Sequence, residues 1–364
     1  MSQLNLSHSS EDEETLNYLA IVQPNDDTPM PYNITTDPDA HHEFMELSAA
    51  DQKVHDQLMR SNSQNLDEDD IFVKGANNNS ATYRSILTLL GNQWLNDEIL
   101  HYFTSQFAGH FLQSKNNTNA CFFNSFFLSK LLSMDDNKKR GYNYKDVSAF
   151  GSKVTGKKSP LSYDKLIFFY NANQMHWVTF AIFPRTKVIE CFDTMGGSHK
   201  QIIHALHRWL GDELSTKHKS LLESDWKLYH RRESTCRQED GHNCGVFSVC
   251  IDLFIAKDFP IDGLNTEQFN IARKRMVLQA YARRQQQIKK GVLPARSGMI
   301  LRTKRSGSPD KSESKKVKRL RATKSEPIDL SSELKPKAWP MVKVVRNKFA
   351  IKSPVDTKKE EAEE

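Results

Sequence analysis

The sequence predicts an α+β domain in which a small central group of strands is flanked by helices. Three observations carry that prediction. Short β-branched and aromatic runs crowd together between residues 165 and 193, and stretches with helical periodicity lie on both sides of them in the chain. Apolar residues concentrate between about Ile71 and Lys290, whereas the flanks are rich in Ser, Asn, Lys, Asp and Glu. A chain of 364 residues, 38% hydrophobic and 26% charged, supports one substantial core plus extensions.

The elements follow in order. WLNDEILHYFTSQF at 94–107 puts Ile99, Leu100, Phe103 and Phe107 on one helical stripe, with Asn96 or Asp97 able to cap its start. FFNSFFLSKLLS at 122–133 reads as a second helix, although its aromatic content alone would also suit a buried strand. KLIFFYN, WVTFAIF and KVIECFD then form a meander or hairpin, with PRT as the turn between the last two. WKLYHRR at 226–232 adds a strand, GVFSVCIDLFIAKD at 245–258 a buried helix, and 266–290 a long amphipathic helix.

Charge divides the chain in the same way. Residues 1–70 hold sixteen Asp and Glu against Lys53 and Arg60, so the other 294 residues carry +20 to reach the +6 of the whole chain. The expected organisation is an acidic, disordered leader over 1–70, a folded domain over 71–290 and a basic, disordered tail over 291–364. The opening MSQLNLSHSSEDEE has no basic stretch leading into an apolar one, and no apolar run nears the roughly 18 residues that span a bilayer. A soluble, non-secreted chain without membrane partners is expected. Cys121, Cys191, Cys236, Cys244 and Cys250 are odd in number and show no CxxC or zinc-finger spacing, so neither a disulfide scaffold nor a metal is expected, and a reducing compartment fits.

The chemistry centres on Cys244. In GHNCGVFSVC it stands where a glycine-containing loop enters an apolar helix, near the free N–H groups and positive end of the helix dipole, a location that favours thiolate. A nucleophilic thiol needs an imidazole, and the imidazole an orienting group. His176 opens the strand WVTFAIF and Asp193 closes the next one. A two-residue loop at 184–185 places them directly opposite each other; a four-residue loop leaves them diagonal neighbours. Gln238, six residues before Cys244, can fold its amide toward the sulfur as an oxyanion donor.

The ordered set Trp94-Leu95-Asn96-Asp97, His176-Trp177, Asp193 and Gln238 through Cys244-Gly245 resembles the Ulp/SENP family of SUMO-specific cysteine proteases, over roughly residues 71–285. The aromatic stretch at 122–127 is also similar. The resemblance implies a papain-like, adenain-like α+β cysteine protease fold, with His176 as base, Asp193 as its orienter, Cys244 as nucleophile and Gln238 as oxyanion donor. It further implies that Trp94 and Trp177 flank a tunnel for the modifier's Gly-Gly, with Asp97 beside them on the substrate side, and that no cofactor is needed. Asn243 departs from the family, which commonly has Asp before the cysteine.

Outside the domain, Lys and Arg cluster at 304–324, a pattern that suits a nuclear import signal, contact with nucleic acid or a solvated linker, so nuclear residence with some cytoplasmic presence is expected. EPIDLSSE at 326–333 resembles part of a SUMO-interaction motif. The readings that stay open are a protease for SUMO, a protease for NEDD8 or ubiquitin, a related acetyltransferase, and an inactive protease-like domain that binds nucleic acid or chromatin.

Overall fold

The computed structural model describes residues 19–25, 27–32, 46–60, 66–113, 119–133, 141–230, 235–261 and 264–294. The basic cluster at 304–324 and the motif at 326–333 lie outside the described residues. In chain order the elements are β1 (Ile21–Val22), α1 (Ala49–Arg60), β2 (Ile71–Val73), β3 (Ala81–Thr82), α2 (Tyr83–Leu90), α3 (Asp97–Gln113), β4 (Ala120–Phe123), α4 (Phe126–Leu131), α5 (Tyr144–Val154), β5 (Lys165–Ala172), β6 (His176–Phe183), β7 (Val188–Phe192), α6 (Lys200–His218), β8 (Lys227–Tyr229), α7 (Cys244–Ala256) and α8 (Thr266–Lys289).

Six of the strands form one mixed sheet in the order β1-β8-β7-β6-β5-β4. Its centre is the antiparallel meander β5-β6-β7, flanked by parallel pairings to β4 and β8. Alternate residues supply opposite faces, as the two-residue strand period requires. Ile167, Phe169, Trp177, Ala181 and Phe192 face a core completed by α2, α3, α7 and α8, whereas Leu166, Phe168, Val178, Phe180 and Cys191 face α4, α5 and α6. Both faces are covered, which is why these strands read as continuous apolar runs rather than as alternating ones.

α7 is buried along its whole length, from Cys244 to Ala256, and lies against β6, α3 and α8. A helix with no polar face can sit only in the middle of a core. On the other face Trp209 of α6 meets Phe123, Phe127 and Phe168 edge-on. Each such fully buried Phe contributes about 1.5–3 kcal/mol of apolar burial.

Two expectations are corrected and one open choice is decided. The stretch 122–133 is not one helix: Ala120–Phe123 is a strand paired in parallel with β5, and the helix starts only at Phe126, whose N–H is taken by Asn124 Oδ1. Both parts are buried and aromatic, so periodicity could not separate them. Of the two lengths left open for the β6–β7 loop, the structure has the four-residue one: Phe183 pairs with Val188, and Lys187 adopts φ 53° in the left-handed region to close the turn on Pro184. Finally, two stretches of the acidic leader pack on the domain. β1 pairs with β8, α1 lies against α8, and Tyr32 stacks on Phe183 with its hydroxyl donating to Phe259 O. A few apolar side chains in a charged segment suffice when a sheet edge supplies the backbone partners.

Candidate active site

The meander delivers the first two groups. Because the β6–β7 loop has four residues, His176 and Asp193 are diagonal rather than opposed, and diagonal neighbours on a sheet remain within side-chain reach. His176 Nε2 donates to Asp193 Oδ1 at 2.6 Å. Asp193 is fully buried and is further engaged by the N–H groups of Met195 and Gly197 and by His199 Nε2 at 2.9 Å. Burial alone would push this carboxyl up; His176, His199 and the Met195 N–H together hold it well below the usual carboxylate range.

Burial also pulls the His176 imidazolium down, but the bond to Asp193 and the nearby Cys244 side chain outweigh it and raise its pKa to about 9. With Nε2 committed to Asp193, the remaining ring nitrogen, Nδ1, is buried and makes no conventional hydrogen bond. It is the nitrogen left to serve Cys244. A raised imidazole pKa beside a thiol suits a thiolate–imidazolium pair.

Cys244 is the first residue of α7 and is 2% exposed. Its neighbour Gly245 meets Leu95 so closely that a Cβ there would lie 2.8 Å from Leu95 Cβ. The segment before α3 is clamped over this point. Trp94 Nε1 donates to Gly241 O at 2.7 Å and Trp177 Nε1 to Leu95 O at 2.7 Å, which ties both indoles to the two halves of the site. They differ in access: Trp94 is 52% exposed and Trp177 4%. Asn96 caps α3 by accepting the Ile99 N–H, and Asp97, half-exposed, opens the helix.

Gln238 is pinned beside Asp193, its N–H donating to Thr194 O at 2.9 Å and its amide oxygen accepting from Thr194 Oγ1 at 3.3 Å. Its amide nitrogen is turned to Asp240, donating to the backbone O and to Oδ1. Asp240 in turn takes the N–H groups of His242 and Asn243 and the Asn243 amide. Three supporting residues escaped the sequence reading: His199, Asp240 and Arg273. His199 and Asp240 sit in polar loops where many such residues are only solvated. Arg273 lies on α8, far from Cys244 in the chain, and no spacing rule joins them.

A cysteine at a helix N-terminus, an imidazole beside it and a buried ionised carboxylate behind the imidazole make a thiol-peptidase type of site on an α+β frame. Residues 93–288 match the Ulp1 protease family, C-terminal catalytic domain, and the chain belongs to that family. It is 26% identical over 209 residues to ubiquitin-like-specific protease 1A of Arabidopsis thaliana, covering 57% of this chain and 39% of that protein. It is 28% identical over 199 residues to human sentrin-specific protease 2, covering 54% and 31% respectively. The chain spans 39% or less of the length of these two curated relatives. The solved C-terminal Ulp1 protease domain in complex with Smt3, the yeast orthologue of SUMO, superposes with a TM-score of 0.51 at 22% identity, covering 65% of this chain and 96% of that one. The Chaetomium thermophilum Ulp1-like SUMO protease catalytic domain gives 0.50 at 19%, covering 64% and 88%. At these identities the likeness establishes the shared fold.

Proposed function

We propose that this chain is a thiol protease that cleaves after the C-terminal Gly-Gly of SUMO, removing the modifier from conjugates or maturing its precursor. The observation that carries the reading is the 2.6 Å bond from His176 to the buried Asp193, with Cys244 opening the adjacent helix. The family match and the names of the ubiquitin-like-specific and sentrin-specific relatives support the substrate class over an acetyltransferase or a nucleic-acid binder.

In this reading the Cys244 thiolate attacks the carbonyl carbon of the last glycine, and the carbonyl electron pair moves onto oxygen. The Cys244 backbone N–H and one Gln238 amide N–H, released from Asp240, hold the oxyanion. Collapse breaks the C–N bond, and His176 gives its proton to the leaving amine. The remaining thioester is hydrolysed by water that His176 deprotonates, and cleavage of the C–S bond expels the Cys244 thiolate, which regenerates the thiolate–imidazolium pair. Asp193 fixes the ring orientation throughout. Trp94 and Trp177 line the approach, where only residues without side chains pass between the indoles, and Asp97 stands at its edge on the substrate side. Nuclear residence through 304–324 belongs to the same proposal; replacing Lys315, Lys316, Lys318, Arg319 and Arg321 by Ala moves a tagged protein to the cytoplasm if the cluster is read by an import receptor.

The deciding experiment offers the protein vinyl-sulfone forms of SUMO, NEDD8 and ubiquitin. SUMO labelling at Cys244, absent in Cys244→Ser, is the expected outcome. Preferential labelling by NEDD8 or ubiquitin overturns the substrate assignment, and labelling at another cysteine overturns the nucleophile.

A further inference from the structure

Arg273 is 6% exposed, and all five of its N–H groups are spent on neutral oxygens. Nε donates to Asn243 Oδ1 at 2.8 Å, one terminal nitrogen to Thr88 O at 2.9 Å and Gly91 O at 2.8 Å, and the other to Gln93 O and His242 O, both at 3.0 Å. These acceptors come from the end of α2, the residue before Trp94, and the two residues before Cys244. One guanidinium thus joins the three segments that frame the nucleophile. A cation buried without a carboxylate in contact is costly, and stabilising structures usually pair it. Here the carboxylate stands one hydrogen bond further out: Asn243 Nδ2 donates to Asp240 Oδ2 at 2.8 Å.

We propose that Arg273 is a positioning residue for the thiol chemistry, locking the Cys244 loop to the Trp94 segment and supplying a buried positive charge that favours the Cys244 thiolate. The inference rests on the protease reading only for the role of Cys244 as nucleophile. The charged and titratable groups on the segments that frame Cys244 include His176 from β6, Asp193 behind it at the end of β7, Asp240 and His242 from the preceding loop, and Arg273 from α8. Burial pulls the Arg273 pKa down to about 10, and the two groups that oppose this are Asp240 and Cys244. Asn243, being neutral, passes the geometry on without cancelling the charge.

The test is the rate of Cys244 alkylation by iodoacetamide in the full-length protein, read by mass spectrometry at pH 6 and pH 9, with the partly buried Cys236 as internal reference. Arg273→Gln is expected to lower the pH 6 rate about tenfold while the pH 9 rate changes less than about threefold, because the thiolate forms in any case at high pH. Arg273→Lys, which keeps the charge but loses most of the bonds, recovers most of the pH 6 rate. Asn243→Asp places a carboxylate on the guanidinium and lowers the pH 6 rate by about threefold or more. An unchanged ratio of the two rates in Arg273→Gln, or equal ratios in Lys and Gln, overturns the proposal. Should Arg273→Gln fail to fold, an unchanged ratio in Asn243→Asp overturns it alone. No modifier takes part in the assay, so a wild-type protein that cleaves no modifier yet shows the Arg273 effect overturns the substrate reading and leaves this one standing.

Discussion

Asp193 and Asp252 are equally buried, at 0% and 1% exposure, yet their surroundings shift their pKa values in opposite directions. Asp193, at the open end of β7, collects two imidazoles and two backbone N–H groups. Asp252, in the middle of α7, receives the Thr179 hydroxyl at 2.7 Å, and its Oδ2 is without a partner. Burial pushes both carboxyls up; donors bring Asp193 back well below the ordinary range, whereas the single Thr179 hydroxyl leaves Asp252 well above it. Depth in the core does not make a charge possible. The count of donors does, and in this fold the donors gather where strands end and loops expose their N–H groups.

The largest effect that can break the comparison is on turnover. Asp193→Asn, by removing the ionised partner of His176, is expected to lower kcat/KM for a fluorogenic SUMO substrate by about 10³–10⁴. Asp252→Asn is expected to stay within about threefold of wild type, as an isosteric change away from the reacting atoms. Equal losses would mean that the two carboxyls act as one network. Next in size, Gln238→Ala is expected to cost about 10²–10³ in kcat with little change in KM, the usual loss for one oxyanion donor. A larger change in KM than in kcat would return Gln238 to a purely loop-bracing role with Thr194.

Equilibrium urea unfolding across pH sharpens the contrast, because the two groups pull in opposite directions. The depressed Asp193 contributes stability that is present above its unfolded value near 4 and is lost as pH falls. The raised Asp252 does the reverse, so folding loses stability as pH rises above about 4, and Asp252→Asn should gain on wild type steadily toward neutrality. His176, raised to about 9, contributes stability that is complete below its unfolded value near 6.5 and lost as pH rises through about 9. Parallel pH profiles for wild type and Asp252→Asn would show that Asp252 is ionised after all.

Gly245→Ala tests the site's packing apart from its charges. A methyl 2.8 Å from Leu95 Cβ must displace the Trp94–Leu95 segment, at about 1–3 kcal/mol, and should weaken cleavage about tenfold without moving its pH profile. A modest effect is expected from removing the leader and tail. Residues 71–290 hold every assigned site residue and every donor to the two carboxyls, so kcat/KM should stay within about tenfold, while loss of β1, Tyr32 and α1 lowers Tm by about 5 °C. An inactive but folded 71–290 fragment would extend the functional domain to the leader.

The sequence by itself determined the central meander, the buried helix behind Cys244 and the long last helix, because their periodicity and β-branched runs are local. It also singled out His176, Asp193, Gln238 and Cys244, since their chemistry depends on type and on short spacings. It could not decide between the two hairpin registers, which turned on whether Lys187 enters the strand or adopts a positive φ. It could not split 122–133 into strand and helix, as both bury the same aromatics. The lowered pKa of Asp193, the raised pKa of Asp252 and the gathering of three segments on Arg273 were decided by the tertiary structure alone. Each depends on hydrogen-bond donors and acceptors brought from separate elements, and a donor's direction in space is not written in the order of residues along the chain.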